Sequence, residues 1–584
     1  MYTNSEWVYS NPKWWIDSIH HCCADDPSVI GQTPSVELWF SLQKERYDAS
    51  MRHLRTRRGL DPSVARRTLF FGKCTKKWRL EIPNISQADR SANAMAGFAV
   101  RNAEASDDRF VPVFYDRMKR ILSRWLPELP AGDVHGRFGP GACAEKYSHP
   151  RRFIQLREWY DQCGSEFEYA LNGHADVCAD VCRLCAVPKD YDKDRLITVE
   201  PAYATFVQQR VRRILLESIH TGPLRWSCMD LGYTDGQAIQ RRLAVEASRT
   251  GSLATLDLSD ASDRISWTAV QTVFPEWVVE LLAHSRSVSY RAPTDQSPTR
   301  MNIFAGMGNA TTFVVETLFF SAYIVAMQRC HGLRPFVSTF GDDIIVTSDC
   351  ATLLIERYGD QPCFKINESK SFLGNDCVRE SCGVFAYCGA DITVPRIDGY
   401  RPSWDGRLGV ADLHYRLISS GDEFQHKLAK LIAAVGVLEN WPFYVDGYPS
   451  VRDDRLEYTA LPKLRWYKDY QKWQSLVKVP VARTRSFSCS DAAVDREPDT
   501  LAEFNAIDLL LRRRQLDPPA DVWYLAHQLG CVETDPIRLR RRRRHGSGVR
   551  EDLGYDSSPS SVTFPTGKYK WVWCWRNRFR HRSC

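Results

Sequence analysis

Two adjacent carboxylates, Asp342 and Asp343, stand between two apolar runs of the sequence. Gly341 precedes them, and the runs 336–340 and 344–346 are rich in β-branched or aromatic residues, so the pattern predicts a strand, a tight acidic turn and a second strand. Carboxylates at a hairpin tip repel each other, and a bound divalent cation would remove that repulsion. The turn therefore points to metal-assisted phosphate chemistry. A Gly-Asp-Asp triplet also occurs by chance in roughly one chain in ten of this length, so its surroundings must support it.

A third carboxylate, Asp257, follows the apolar run 252–256, which predicts a strand that ends just before it. Ser262 or Asp263 is expected to cap the helix that comes next. If this strand lies beside the acidic hairpin, its aspartate and the two of the turn would form a cage for two metal ions. One ion would activate an attacking hydroxyl and the other would stabilise a leaving pyrophosphate. The simpler alternative is that Asp257 ends a strand and that Asp260 and Asp263 are helix caps.

A glycine-containing segment, 306–312, leads into the apolar stretch 313–327, which predicts a loop followed by a buried helix. Gly308, Thr312 and Glu316 are spaced at i, i+4 and i+8, so the last two share one helical face. A loop of this kind lets the backbone approach a ligand, and the polar groups after it could grip a nucleotide sugar and a template. A buried helix with a glycine-rich entry explains the segment equally well.

Three basic residues, Lys189, Lys193 and Arg195, lie close together near the start of a strand-like run. They could neutralise an incoming triphosphate, since the arginine fork matches phosphate oxygens. Acidic residues alternate with them, so a solvated loop remains the alternative.

The composition describes a large folded protein. The chain has 584 residues, of which 43% are hydrophobic and 12% aromatic, enough for a core divided into several subdomains. Its 19 cysteines are scattered and odd in number, as expected of reduced thiols in a cytosolic protein. No signal peptide is expected at the N-terminus, and the absence of a run of 18 apolar residues predicts no membrane span.

The pattern along the chain predicts four regions. Residues 1–250 are mostly helical in pattern, residues 251–395 alternate strand-like and helical runs, and residues 396–537 are again mainly helical. The last region, 538–584, carries 13 Lys or Arg against 3 Asp or Glu, whereas the whole chain has a net charge of only +7. It is expected to be a loosely attached, Trp-rich tail.

The tail begins with a dense basic run that is a candidate for RNA binding. Tryptophans alternate with basic residues further along, and cations combined with stacking faces suit single-stranded RNA. A disordered solubilising tail is an equally good interpretation. The candidate RNA-binding residues are Arg538, Arg540, Arg541, Arg542, Arg543 and Arg544.

The four central segments, taken in their order, resemble the motifs of viral RNA-dependent RNA polymerases. They correspond to a basic finger motif at Arg195, an aspartate motif at Asp257, a glycine loop and helix at Gly308, and the Gly-Asp-Asp hairpin. The stretches 370–372, 378–383 and 387–395 narrow the resemblance to the replicases of leviviruses, the single-stranded RNA bacteriophages. The similarity covers about residues 185–396.

The resemblance implies roles for individual residues. Asp257, Asp342 and Asp343 would carry two Mg²⁺ ions, which Mn²⁺ could replace, with Asp342 the stronger ligand of the adjacent pair. Asp263 would contact the ribose 2′-hydroxyl, and Asp260 is its rival for that role. Lys370 could protonate the leaving pyrophosphate by analogy. Many RNA polymerases have Asn where this chain has Glu316, and Glu there is associated with the levivirus group.

The resemblance also implies an α+β right-hand polymerase with an antiparallel palm sheet. Residues 1–250 would form fingers, 251–395 the palm with 274–301 returning to the fingers, and 396–537 a helical thumb. The expected partners are template RNA, nucleoside triphosphates, the host elongation factors Tu and Ts and a host RNA-binding ribosomal protein, with no membrane. The expected location is the cytoplasm of an infected bacterium.

Three other functions compete with this interpretation. A reverse transcriptase shares the three carboxylates, but it usually has an aromatic or hydrophobic residue, not a second aspartate, soon after the first one, whereas this chain has Ser259 and Asp260 there. A non-catalytic RNA-binding protein would rely on the basic tail. Finally, Cys178, Cys182 and Cys185, near His174, have the spacing of iron–sulfur enzymes that cleave S-adenosylmethionine, although the same spacing also places buried thiols on one face of a helix.

Overall fold

The computed structural model describes residues 8–23, 33–82, 85–130, 136–139, 141–147, 152, 181–225, 227–231, 234–401, 404–435, 464–467, 472–488 and 561–577. Helices and mainly antiparallel strands alternate within these residues. The α+β class predicted from the sequence is confirmed.

The helices are, in chain order, α1 (Pro12–Cys22), α2 (Val36–Ser41), α3 (Gln43–Thr56), α4 (Pro62–Lys73), α5 (Gln87–Glu104), α6 (Tyr115–Trp125), α7 (Ala202–Thr221), α8 (Gly236–Thr250), α9 (Trp267–Val273), α10 (Glu276–Ser285), α11 (Thr312–Cys330), α12 (Ser348–Arg357), α13 (Trp404–Ser419) and α14 (Glu423–Ala434). The strands are β1 (Val181–Asp190), β2 (Lys193–Val199), β3 (Leu253–Leu256), β4 (Ser289–Arg291), β5 (Thr299–Arg300), β6 (Val337–Phe340), β7 (Asp343–Thr347), β8 (Asp360–Gln361), β9 (Phe364–Lys365), β10 (Val378–Ser381), β11 (Val384–Tyr387), β12 (Ala390–Asp391), β13 (Leu464–Tyr467), β14 (Lys472–Ser488) and β15 (Ser561–Asn577).

A three-stranded antiparallel sheet in the order β3-β7-β6 lies at the centre of the fold. Strands β6 and β7 form the predicted hairpin, with Phe340 opposite Asp343. The last paired residues of β3 and β7 are Leu256 and Ile344. Asp257 therefore comes one residue beyond this pair, at the same end of the sheet as the acidic turn.

Helix α11 packs against this sheet and is the centre of the largest hydrophobic core. Sixteen of its 19 residues are buried, because nearly every position from Val314 to Gln328 faces other elements. By length and composition α11 could cross a membrane, a candidate that the sequence interpretation did not anticipate. However, 83% of its apolar window is buried inside the protein, as expected of a core helix.

A second sheet is built around the β1–β2 hairpin in the order β2-β1-β4-β5. Strand β4 pairs in parallel with β1, and β5 pairs antiparallel with β4. The segment 274–301 thus leaves the central sheet and returns to a sheet formed by earlier residues.

The free edge of β3 is covered by the segment 366–372. Thr255 and Phe372 exchange backbone hydrogen bonds of 3.0 and 2.8 Å, and the Asn367 amide donates to the Asp257 carbonyl oxygen at 2.8 Å. The sheet β10-β11-β12 follows and is tied to β3 by Arg379, whose buried guanidinium donates to the Leu253 carbonyl oxygen at 2.9 Å.

The N-terminal helices share a second core with α13 and α14. Tyr9, Trp15, Trp39 and Phe70 belong to this cluster together with apolar residues of the two later helices. The Tyr9 hydroxyl donates to the Ile432 carbonyl oxygen at 2.6 Å. Residues more than 400 positions apart in the sequence are therefore packed together.

The last three strands form a separate antiparallel sheet in the order β13-β14-β15. Two of them lie within the range 396–537, where the sequence pattern predicts mainly helices. The third, β15, lies in the predicted tail and pairs with β14 along most of its length.

Candidate active site

Most of the predicted site residues border one cavity of about 950 Å³ at the end of the central sheet where Asp257 and the acidic turn lie. The structure brings together Lys189, Arg195, Asp257, Asp260, Asp263, Gly308, Thr312, Glu316, Asp342, Asp343 and Lys370. Lys193 is not among the lining residues, because it stands exposed at the tip of the β1–β2 hairpin opposite Asp190. The six candidate arginines of the tail lie outside the described residues.

The acidic turn is held in place by contacts with helix α11. Gly341 adopts φ +67°, and a Cβ there would lie 2.5 Å from the Phe313 ring, so glycine is required both by conformation and by space. Its amide donates to Thr317 Oγ1 at 3.0 Å. Asp342 is thereby exposed at the tip, whereas Asp343 is half-buried at the start of β7.

Asp257 is held between the central sheet and the segment 366–372. Its backbone amide donates to Ser371 Oγ at 3.2 Å, and its Oδ2 accepts from Asn367 Nδ2 at 3.2 Å and from Lys370 Nζ at 3.3 Å. Burial raises the pKa of Asp257 to about 6; Lys370 opposes this rise, and the Asp342 charge adds to it. The charge of one candidate metal ligand, Asp342, thus acts on another, Asp257.

Asp343 shows the same electrostatic pattern. Burial raises its pKa to about 6, and the neighbouring Asp342 charge contributes to the rise. Ser381 Oγ lies 3.5 Å from Asp343 Oδ1. Because three carboxylates border one cavity and the Asp342 charge adds to the raised pKa of both Asp257 and Asp343, the site favours a cation.

The chemistry of these donors suits Mg²⁺. All three are oxygen ligands, which Mg²⁺ prefers, and Mg²⁺ is usually bound by one or two carboxylates together with water and substrate phosphates. Within the described part of the chain, no group of three or more His, Cys, Asp or Glu side chains forms a ready-made metal cage. The donor set therefore fits an ion that completes its coordination with substrate and water.

The glycine loop before α11 is docked on strand β2. The Thr198 amide donates to the Met307 carbonyl oxygen at 2.8 Å, and Thr312 Oγ1 donates to the Gly306 carbonyl oxygen at 3.0 Å. Gly308 has φ +129°, and a Cβ there would collide with the Thr198 carbonyl oxygen. The loop is therefore held in close backbone contact with strand β2 rather than being a free segment.

Thr312 and Glu316 lie on the cavity face of α11, as their spacing predicts. Glu316 is 8% exposed, and burial raises its pKa well above the usual value, with smaller contributions from the Asp342 and Asp263 charges. A protonated carboxyl group at this position can donate a hydrogen bond as well as accept one.

Asp263 is paired with Arg101 of helix α5. Arg101 Nε and Nη2 donate to Asp263 Oδ2 at 3.0 and 2.8 Å, while Asp260 Oδ2 lies 3.7 Å from Arg101 Nη1. Asp260 adopts φ +53° and is the more exposed of the two aspartates. Both aspartates that the resemblance offers as ribose contacts thus lie at the cavity wall.

The expected helix cap at Ser262 or Asp263 is wrong. Residues Ser262–Arg264 form a 3-10 turn, and helix α9 is capped by Ser266, whose Oγ accepts from the Ala269 amide at 3.0 Å. Asp263 is consequently free to face Arg101 and the cavity.

The basic wall of the cavity extends beyond the predicted residues. Lys189 and Arg195 line it from the β1–β2 hairpin, and Lys73, Lys76 and Lys77 join them from the N-terminal region. Burial lowers the pKa of Lys73 to about 8. Its Nζ lies 3.6 Å from Glu380 Oε1.

Sequence reasoning missed several residues that hold the site. Asn367 and Ser371 fix Asp257, Arg101 pairs with Asp263, and Glu380 lines the cavity beside Lys73. Asn367 and Ser371 offered a signal because they lie close to Lys370 in a short polar run, and Glu380 offered one because it belongs to the stretch 378–383 that carries the resemblance. Arg101 lies 162 residues from its partner, and no local pattern connects them.

The cysteine interpretation is not supported where it can be examined. Cys182 and Cys185 lie in strand β1, not on a helix, and an odd spacing places them on opposite faces of that strand. His174 and Cys178 lie outside the described residues.

Comparison with known proteins gives a consistent family. The family described as "RNA replicase, beta-chain" matches residues 150–397. The chain is 33% identical over 290 residues to the RNA-directed RNA polymerase subunit beta of Escherichia virus Qbeta, an alignment that covers 47% of each chain. It is 34% identical over 209 residues to the RNA-directed RNA polymerase beta chain of Escherichia phage MS2, covering 35% of this chain and 36% of the relative.

A third relative is the RNA-directed RNA polymerase subunit beta of Qbeta virus (strain MX1), 31% identical over 269 residues and 44% of each chain. The chain thus spans less than half the length of each of these relatives. The matched segment contains the three sheets that contribute residues to the cavity, namely the central sheet, the sheet β2-β1-β4-β5 and the sheet β10-β11-β12. The replicase resemblance seen in the sequence is confirmed. Residues 150–397 of this chain are therefore similar to the RNA replicase beta-chain family.

Proposed function

We propose that this protein is an RNA-directed RNA polymerase. The observation that carries the proposal is the cavity itself, where Asp257 and the Asp342–Asp343 turn lie at one end of the central sheet, facing a docked glycine loop and a basic hairpin. The names of the relatives support the same reaction. The chemistry is template-directed transfer of a nucleotidyl group from a nucleoside triphosphate to an RNA 3′-hydroxyl.

Asp257, Asp342 and Asp343 would hold two Mg²⁺ ions, with Mn²⁺ as a substitute. When bound, such ions would make the 3′-hydroxyl more nucleophilic and would stabilise the negative charge of the leaving pyrophosphate. Asp342 is exposed at the hairpin tip, whereas Asp257 and Asp343 are fixed by neighbouring hydrogen bonds. The protein contributes mainly positioning, which accounts for a large part of catalysis in reactions of this type.

The remaining cavity residues would bind the nucleotide. Lys189 and Arg195 would offer positive charge to the triphosphate, and Lys370 would donate a proton to the departing pyrophosphate. Asp263 would accept a hydrogen bond from the ribose 2′-hydroxyl. Gly308, Thr312 and Glu316 would line the wall that holds the sugar and the template base.

The same proposal assigns the three regions of a right hand. The central sheet with α11 would be the palm, the β1–β2–β4–β5 sheet together with N-terminal helices the fingers, and the region after residue 396 the thumb. The shared core of the N-terminal helices with α13 and α14 would join fingers to thumb.

Partners and location follow from the family and are part of the proposal. The relatives are named as beta subunits or beta chains, so we expect this chain to work with others. The candidates are host elongation factors Tu and Ts and a host RNA-binding ribosomal protein, in the cytoplasm of an infected bacterium. The arginine run from Arg538 to Arg544 would add affinity for RNA.

The direct test is RNA synthesis by the purified full-length protein on its own genomic RNA, with and without bacterial lysate. Incorporation of ribonucleotides that depends on both template and Mg²⁺ supports the proposal. Incorporation of deoxyribonucleotides at an equal or higher rate would favour a reverse transcriptase. RNA binding without synthesis in either condition would leave a non-catalytic RNA-binding protein.

A further inference from the structure

Arg101 contributes to the cavity from helix α5, outside the segment 150–397 that matches the replicase family. Its guanidinium donates twice to a single oxygen, Asp263 Oδ2, at 3.0 and 2.8 Å. The other oxygen, Oδ1, lies 3.3 Å from Ser262 Oγ. Arg101 thus engages Oδ2, while Oδ1, which accepts from Ser262 Oγ, retains a further acceptor position, and Asp263 lines the cavity.

The helix that carries Arg101 is fixed in place by the next residue. Asn102 is 2% exposed; its Nδ2 donates to the Arg300 carbonyl oxygen at 2.9 Å, and its Oδ1 accepts from the Asn302 amide at 2.8 Å. Residues 300–303 lead directly into the glycine loop. Arg101 therefore stands on a support that is tied to the same wall of the cavity.

The charges around Asp263 explain why it needs such a partner. Asp260 and Glu316 are its acidic neighbours, and Asp263 is largely buried. A buried carboxylate in acidic surroundings tends to take up a proton and to lose its fixed orientation. A planar guanidinium that donates two hydrogen bonds opposes both effects.

We propose that Arg101 is a specificity-determining positioning residue that holds Asp263 ionised and oriented to accept a hydrogen bond from a ribonucleotide 2′-hydroxyl. This inference rests on the proposed polymerase function. A site built to pair with a substrate hydroxyl rejects the analogue that lacks it, because the buried polar group is then left unpaired. Loss of Arg101 should therefore reduce the preference for ribonucleotides over deoxyribonucleotides more than it reduces catalysis in general.

The test compares Arg101→Gln and Arg101→Lys with wild type in the full-length protein. The matched control is Arg109→Gln, because Arg109 also forms an ion pair with an aspartate but is 80% exposed and does not line the cavity. The readout is the ratio of kcat/KM for ATP to that for 2′-deoxy-ATP. We expect Arg101→Gln to lower this ratio by roughly 10- to 100-fold, the range of a hydrogen bond to a charged group. The ratio for Arg101→Lys should lie between the ratios for Arg101→Gln and wild type. The ratio for Arg109→Gln should match that of the wild type.

An equal loss of activity with both nucleotides would overturn the inference, since it would indicate a structural role only. Equilibrium binding of ATP and 2′-deoxy-ATP to the same proteins separates this result from failure of the polymerase proposal. If the wild type makes no RNA but prefers ATP in an Arg101-dependent way, the polymerase proposal fails and the positioning role stands. Arg101→Lys keeps the charge of the arginine but not its forked geometry. If both Arg101→Lys and Arg101→Gln keep the wild-type preference for ATP over 2′-deoxy-ATP, the positioning role is wrong.

Discussion

Lys370 Nζ lies 3.3 Å from Asp257 Oδ2, so the candidate proton donor and a candidate metal ligand form an ion pair at the cavity wall. Burial alone would lower the pKa of Lys370, but the facing Asp257 carboxylate, with Glu380 and Asp190, raises it above its usual value. The lysine is therefore protonated before the reaction, as a general acid must be.

Substitution of Lys370 separates proton donation from simple charge. Lys370→Gln and Lys370→Arg are both expected to slow nucleotide incorporation by on the order of 10²-fold, since neither side chain readily gives up a proton. Only Lys370→Gln should also disturb Asp257, because arginine keeps the ion pair. Single-turnover incorporation measures this, with Lys365→Gln as a surface control. A wild-type rate in Lys370→Arg would show that charge alone is required.

Two glycines with positive φ test the docking of the loop. Gly308→Ala would place a methyl group against the Thr198 carbonyl oxygen, whereas Gly332→Ala meets no atom within 4 Å. Both substitutions should cost about 1–3 kcal/mol of backbone strain. Only Gly308→Ala should also displace the loop and lower kcat/KM for nucleotides, by on the order of 10²-fold. Equal kinetics for the two variants would mean that the close contact does not position substrate.

Glu316→Gln tests the buried carboxyl of α11. Because the pKa of Glu316 is raised in the folded protein, the folded state binds more protons than the unfolded state above pH 4.5, the group's ordinary pKa. The stability of the wild type should therefore fall as pH rises from about 5, while glutamine removes this dependence. Thermal unfolding of both proteins between pH 5 and pH 8 should show that the Tm of the variant rises relative to that of the wild type as the pH increases. A constant difference in Tm over this range would contradict a raised pKa.

The basic run at the start of the tail predicts salt-dependent RNA binding. Replacing all six arginines from Arg538 to Arg544 by glutamine keeps strand β15, which deletion of 538–584 would remove. If each arginine neutralises one phosphate of single-stranded RNA, the slope of log affinity against log salt should fall by roughly 4. Filter binding at several salt concentrations gives the slope. An unchanged slope would exclude the run from the RNA interface.

Local patterns were sufficient to predict the central elements. Each of these elements is specified by residues within a few positions, either by the spacing of apolar residues or by a turn residue. They are the β6–β7 hairpin, the strand before Asp257 and the helix after Gly308. The order of these elements was enough to indicate a polymerase family. The relative position of Asp257 and Asp343 then followed from pairing of β3 with β7.

Other features depend on contacts that no local pattern contains. Arg101 meets Asp263 only because α5 packs beside the 3-10 turn Ser262–Arg264. That turn also explains the wrong helix cap, since it takes up Ser262 and Asp263, and α9 begins only after Ser266. Cys182 and Cys185 had the spacing of a helix face, but pairing of β1 with β2 and β4 placed them in a strand.

The most direct measurement is template-directed RNA synthesis by Asp342→Asn, beside Asp360→Asn as a control. Asp360 is a surface carboxylate that pairs only with Lys365 among the described residues and lies outside the cavity. Asp342→Asn should lose elongation by on the order of 10³-fold or more, the scale seen when a group that stabilises transition-state charge is removed. Its Tm and RNA affinity should stay at the wild-type level, and Asp360→Asn should remain active. Elongation by Asp342→Asn at the wild-type rate would contradict the assignment of this cavity as the polymerase site.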